Sequence, residues 1–306
     1  MDENKKIMFE PANINPDEME LIKRPSLSYW KDAWIRIRKN KLAMVGLVIL
    51  TVILFMAIIG PIINTNSYSK QNYDHMQELP SRLFWFGTDE GGRDIFVRLW
   101  RGTRVSLFIG IISALLDLVI GVLIGGIAGY KGGAVDDILM RFGEILYSIP
   151  YMLTVIIFMI YLGPGVNSMI AALAVTGWVP MSRIVRGEVL KIKELEFVQA
   201  AKSFGADTKW ILLKHLIPNA MGPIIVNVTL TVPRAIFSEA TLSFLGLGVP
   251  APQPSLGVMT SDAVQAVVVG TYYELLFPAT VICLLMFSFN VLGDGLRDAL
   301  DPKLRK

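Results

Sequence analysis

Four ionisable side chains fall inside long apolar stretches of the chain: Asp117, Arg234, Glu239 and Asp294. A charge at the centre of a bilayer-spanning helix costs roughly 2.5–3.5 kcal/mol on insertion scales, so such groups mark a watery cavity, a partner helix or a route for a polar solute. Arg234 and Glu239 stand near Pro233, which lacks an N–H and so frees a backbone carbonyl. Asp117, Arg234 and Glu239 are therefore candidates for a translocation path, with a structural role as the open alternative. Asp294 belongs to "GDGLRDALDP", the pattern of a helix leaving the membrane.

Chemistry at a catalytic centre is poorly served. The histidines are His75 and His215 and the single cysteine is Cys283, so no metal-ligand cluster and no intrachain disulfide can be assembled. No Ser-His-Asp set, HExxH or paired-carboxylate constellation emerges from two histidines and scattered acids. There is no GxxxxGK[ST] phosphate loop. The glycines of "GVLIGGIAGYKGG" instead recur every fourth residue at Gly121, Gly125 and Gly129, a small-residue stripe along which another helix packs closely. The expectation is no catalytic residue, no metal and no cofactor on this chain.

A different kind of site is carried by "QAAKSFGADTKWILLKHLIPN", Gln199 to Asn219. Upstream, Ile192, Leu195, Val198 and Ala201 recur at helical spacing, which predicts a surface helix from Glu188 to Phe204. Gly205 tolerates the positive φ that ends a helix and turns the chain. "TKWILLKHLIPN" restarts a helix, and Pro218 stops or kinks it. Helix, turn and helix make a compact projecting unit, and small residues at Gln199-Ala200-Ala201 let another surface approach.

The elements that hold these residues are long and apolar. Of 306 residues, 53% are hydrophobic and 18% charged, against ~25% charged in ordinary soluble domains. A spanning helix needs ~20 apolar residues. Six spans are counted: Leu42–Ile63, Val105–Tyr130, Ile138–Leu162, the shorter Val166–Pro180 with its Gly-Trp and Pro, Ala220–Leu247 and Tyr272–Leu292. Six spans put both termini on one side. That side carries 22 Lys and Arg against six on the other, which places both termini and the 183–219 loop in the cytoplasm. The six external cations lie between Lys70 and Arg104. There "GTDEGGRDIFVRLWRGTRVSL" reads as an amphipathic helix on the outer interface, N-capped by Thr88 or Asp89. A second amphipathic helix, "SLSYWKDAWIRIRKNK", lies on the inner leaflet against anionic lipid. The N-terminus has no early apolar region of a signal peptide. The divisions expected are a tail at 1–41, a first span at 42–63, an external segment at 64–104, a core of five spans at 105–296 and a tail at 297–306. A net charge of +3 with no basic block argues against a nucleic-acid partner.

"QAAKSFGADTKWILLKHLIP" resembles the EAA motif of bacterial ABC importer permeases, with Gln199 in place of the usual Glu, Ile217 in place of Leu, and Gly205 and Pro218 matching. "WKDAWIRIRKNKLAMVGLVIL", "GTDEGGRDIFVRLWRGTRVSL", "SEATLSFLGLGVPAP" and "FNVLGDGLRDALDPKLRK" are similar to the second permease subunit of dipeptide/oligopeptide importers, over nearly the whole chain. "MFEPA" resembles the oligopeptide branch of Gram-positive bacteria. The resemblance implies an all-α polytopic membrane protein with six spans of the type I ABC importer permease fold and a cytoplasmic coupling helix at Glu194–Gly205. It implies a homologous permease partner, two cytoplasmic ATPases that bind the ATP and magnesium, an extracellular peptide-binding protein and a bacterial plasma-membrane location. Glu194, Phe197, Val198, Gln199, Ala200, Ala201, Phe204, Gly205 and Pro218 become the expected ATPase-coupling residues. Dipeptides or nickel complexes are the alternative cargo, and an ATP-independent secondary transporter is the alternative class.

Overall fold

The computed structural model describes residues 29–301. The tail before residue 29, with "MFEPA", and the last five residues lie outside the described residues. A short helix α1 (Tyr29–Lys39) leads into α2 (Lys41–Ile63), and Asn40 between them caps α2 by accepting from the Ala43 N–H at 3.2 Å. Ala33 and Ile37 of α1 are buried with Ala43, Ala299 and Leu300, while Trp30 and Trp34 are exposed. Pro61 sits inside α2 and leaves the carbonyl of Ala57 without its intrahelical donor. The Arg104 guanidinium supplies one, from Nε to Ala57 O, and a second from Nη2 to Ile58 O.

Helix α3 (Ile95–Lys131) has 37 residues, about 55 Å of helix against a ~30 Å hydrocarbon core. The separate interfacial helix expected around residues 93–104 is not formed. That segment is the beginning of α3, and Ile95, Phe96, Arg98, Leu99 and Trp100 are all buried. Its N-cap is Asp94, which accepts from Val97 N at 3.2 Å, in place of Thr88 or Asp89. Asn64 and Asn66 donate to the other carboxylate oxygen of Asp94 at 3.0 and 2.7 Å, so one side chain caps the helix and gathers the loop before it. Thr88 is buried with its hydroxyl between His75 O and Glu78 N, and Asp89 turns its carboxylate to arginines.

The third span also differs. α4 (Gly133–Ser148) and α5 (Tyr151–Leu162) meet at 83° around Ile149-Pro150, because a residue before proline is pushed out of the helical region. α6 (Val166–Ile192) runs past Pro180, well beyond the expected end. The chain then passes α7 (Glu196–Ser203), α8 (Thr208–Ile211) and one wide turn at Leu212–Leu216 into α9 (Ile217–Phe244). A short apolar helix α10 (Leu256–Val269), which periodicity did not single out, precedes α11 (Tyr273–Leu300). Among the described residues five helices are long and apolar enough to cross a membrane, or six if the bent α4–α5 pair is counted as one span.

α3 is central and makes its most extensive contact with α6. A Cβ on Gly125 would strike the backbone of Ser182, one on Gly129 the carbonyl of Arg186, and one on Gly121 the side chain of Met181. The fourth-residue glycine spacing is thus the α3–α6 seam. One apolar core joins α2, α3, α9, α10 and α11 around Leu99, Ile236, Leu256 and Leu285. A second joins α6, α7 and α9 around Val185, Val189, Val198 and Leu216.

Candidate functional site

At one end of the bundle α7 projects on a braced mount. Val198 is its anchor, 2% exposed in the second core. Phe197 and Leu195 are open to solvent, and Phe204 is 91% exposed. An apolar ring left this bare marks a contact surface. The expected continuous helix from Glu188 is broken: α6 ends at Ile192 and α7 starts at Glu196, with Glu194 and Leu195 in the connection. The break turns Leu195 outward while Ile192 and Val198 stay buried. Gln199 closes it by donating from Nε2 to Lys193 O at 2.8 Å. Ala200 is exposed and Ala201 half-buried.

Gly205 has φ +83°, with no atom near the position of a Cβ. Backbone conformation and not space requires glycine there. Ala206 N then donates to Ala201 O at 3.1 Å, tying off the helix end. Asp207 caps the next helix, accepting from Trp210 N at 2.6 Å. Pro218 neither stops nor sharply turns the chain: Thr208–Phe244 runs on as one 37-residue span. The wide turn at Leu212–Leu216 takes up the ring and the missing donor.

Two further ties stiffen this end. Arg186 of α6 clasps Asp136 of α4 with two parallel bonds of 2.5 and 2.6 Å, the strong bidentate geometry. Lys193 donates to Gly129 O at 3.0 Å, on the last turn of α3, where a cation meets the negative end of the helix dipole.

The three ionisable residues expected along a path sit in three environments. Asp117 is buried with its carboxylate against Gly177 of α6, and its Oδ1 has no hydrogen-bond donor among the described residues. Arg234 is exposed on α9. Glu239 is fully buried and accepts from Ser106 at 2.8 Å, Ser243 at 2.9 Å and Ser255 at 2.6 Å. Ser106 in turn accepts from Leu256 N and Ser255 from Val258 N, each at 3.0 Å. The knot fastens the N-terminus of α10 to α3 and α9. Among the described residues no hydrogen bond or ion pair joins Asp117, Arg234 and Glu239 to one another.

The end opposite α7 holds a cluster that the sequence did not reveal as one. Arg98 Nε lies 3.1 Å from Asp89, which also takes Arg93 Nε at 2.8 Å. Asp262 of α10 and Glu274 of α11 line the same cavity. The only local signal was the mixture of arginines with apolar residues in 93–101, which fits a membrane-surface helix equally well.

This bundle has the architecture of solved importer membrane subunits. It aligns with a chain of the MetNI methionine ABC transporter, in "inward facing conformations", at TM-score 0.56 and 19% identity, covering 67% of this chain and 96% of that one. Residues 121–306 match the family model described as binding-protein-dependent transport system inner membrane component, and residues 28–80 match the N-terminal TM domain of oligopeptide transport permease C. The dipeptide transport system permease protein DppC of Bacillus subtilis (strain 168) is 56% identical over 94% of this chain and 90% of its own length. The oligopeptide transport system permease protein OppC of the same organism is 54% identical over 98% of each chain. OppC of Escherichia coli (strain K12) is 40% identical over 91% of this chain and 92% of its own. The chain belongs to the binding-protein-dependent transport system inner membrane component family, as a multi-pass ABC permease subunit.

Proposed function

We propose that this subunit forms half of the translocation path of an ATP-driven importer of oligopeptides and couples that path to cytoplasmic ATPases. The observation that carries the reading is α7, a short helix with a buried anchor and a bare apolar rim, braced to α3, α4, α6 and α9. Glu194, Phe197, Gln199, Ala200, Ala201, Phe204 and Gly205 form its docking side, Val198 seats it, and Pro218 lies on the rod that leaves it. The path is completed by a homologous permease, ATP and magnesium are held by two ATPase partners, and an extracellular binding protein delivers peptide. Both termini and the 183–219 loop are cytoplasmic, which agrees with the Lys and Arg distribution. Peptide cargo is supported by near full-length likeness to oligopeptide and dipeptide permeases.

The test is purification of the intact complex and measurement of ATPase stimulation by peptides of graded length. Stimulation rising from dipeptides to longer peptides is expected. A maximum at dipeptides moves the cargo to that class, and a response to nickel complexes alone overturns the peptide reading. ATP-independent uptake by vesicles holding this chain alone makes it a secondary transporter.

A further inference from the structure

At the end opposite α7 a cavity of about 670 Å³ opens between the 246–253 segment, α10 and the beginnings of α3 and α11. Small-molecule sites typically measure ~300–1,000 Å³. The charged lining mixes Arg93 and Arg98 with Asp89, Glu90, Asp262 and Glu274. Several of these are committed within the protein. Asp89 accepts from the Arg93 guanidinium and from the backbone of Gly91 and Arg93, and pairs with Arg98. Glu274 accepts from Thr271 at 2.8 Å and Gln77 at 3.3 Å.

Asp262 is different. It lines the cavity with a side chain 57% exposed, and its ionic contact, with Arg98 Nη2, is 3.7 Å long, well beyond the ~2.7–2.9 Å of a charge-assisted hydrogen bond. The surrounding wall pushes its carboxyl upward from the ordinary carboxylate range, against the opposing pull of Arg98 and Arg93 and with some help from Asp89 and Glu90. The long contact with Arg98 leaves this carboxylate without a cation at hydrogen-bonding distance among the described residues. Its place is nevertheless fixed, because α10 begins at the Glu239–Ser255 knot.

We infer that Asp262 is a recognition site for a primary ammonium group of the transported solute, which for a peptide is its amino terminus. The inference rests on the peptide-import reading above. An ammonium supplies what the site lacks: one positive charge, compact, with three donors. A recessed cavity of this size favours a small solute over a lysine of the docked binding protein.

The experiment uses the whole transporter in nanodiscs without its binding protein, with saturation-transfer NMR of tri-alanine and N-acetyl-tri-alanine as probes. In parallel, ATP-driven uptake of tri-alanine is followed in proteoliposomes with the binding protein present. Asp262→Asn is expected to weaken the tri-alanine signal roughly fivefold, the weight of a partly exposed charge pair, with the acetylated peptide unaffected. Asp262→Glu restores it. Equal signals from the two peptides on the wild type, or equal losses in Asp262→Asn, overturn the site. An unchanged tri-alanine signal with a raised binding-protein requirement for uptake overturns it in favour of a binding-protein lysine. Failure of the wild type to import tri-alanine at all overturns the peptide reading, and this inference falls with it.

Discussion

Glu239 shows how a carboxylate can be kept inside an apolar bundle without a cation beside it. Its two oxygens accept from three serine hydroxyls, and two of those hydroxyls accept from backbone N–H groups at the beginning of α10. Each of the three hydroxyl protons points to the carboxylate, so the centre of the knot is an acceptor. Glu239→Ala leaves three buried hydroxyls without their acceptor. Hydrogen bonds to charged groups are worth ~1.5–3 kcal/mol each and partly compensate one another, so a loss of about 3–5 kcal/mol is expected. Glu239→Gln keeps the shape but turns one acceptor into a donor, and a loss of about 1–2 kcal/mol is expected. Reversible SDS unfolding of the purified subunit measures both. A Glu239→Ala variant as stable as the wild type contradicts the knot. None of this was legible locally: Ser106, Ser243 and Ser255 come from α3, α9 and the start of α10. A serine in an apolar run carries no mark of its partner. Arg98 is the same case, an arginine whose neighbours in sequence fit a lipid-facing helix and whose neighbour in space is Asp89.

At the scale of elements the legible parts were those with a local physical cause. Apolar length fixed α2, α3, α9 and α11, and glycine spacing fixed the α3–α6 seam. Pro150 was as visible in the sequence as Pro218, yet one produces an 83° bend and the other does not interrupt its span. The difference is the wide turn ahead of Pro218, which depends on packing around Leu216 and Ile211 and on no residue pattern. α10 escaped notice because its 14 residues fall short of a spanning length. The seam makes a firm prediction. Gly125 faces the Ser182 backbone, which cannot rotate aside as a side chain can. Gly125→Leu therefore forces α6 away from α3. Overpacking of this kind costs ~1–3 kcal/mol or more, and α6 carries the connection to α7. Uptake by this variant is expected to fall at least tenfold at a normal membrane level, judged by immunoblot of the membrane fraction. Gly187→Leu, at a position where an added Cβ meets nothing within 4 Å, is the matched control and should stay near wild type.

At the scale of the whole molecule, the projecting end and the charged cavity are joined by continuous helix. α9 with its leading turns runs from beside α7 to the Glu239 knot, and the knot holds the α10 that carries Asp262. α6 and α3 are locked beside it through the glycine seam, the Arg186–Asp136 clasp and the Lys193–Gly129 tie. In the proposed transporter, a push on α7 by an ATPase is delivered along α9 to the far cavity, provided the turn after α7 holds its shape. Gly205 is the weak point of that arrangement. Its φ of +83° lies outside proline's fixed range near −65°, so Gly205→Pro must rebuild the turn and release α7 from its mount. Gly205→Ala meets no steric obstacle, since nothing lies near the added Cβ, and pays only the left-handed backbone penalty of about 1 kcal/mol. The expected outcome is graded. The alanine variant keeps most of its uptake, while the proline variant inserts normally but loses more than nine-tenths of uptake and its peptide-stimulated ATPase activity. Uptake and ATPase rates on equal amounts of membrane-inserted protein decide it. Normal uptake by Gly205→Pro means that force enters this subunit elsewhere than through α7.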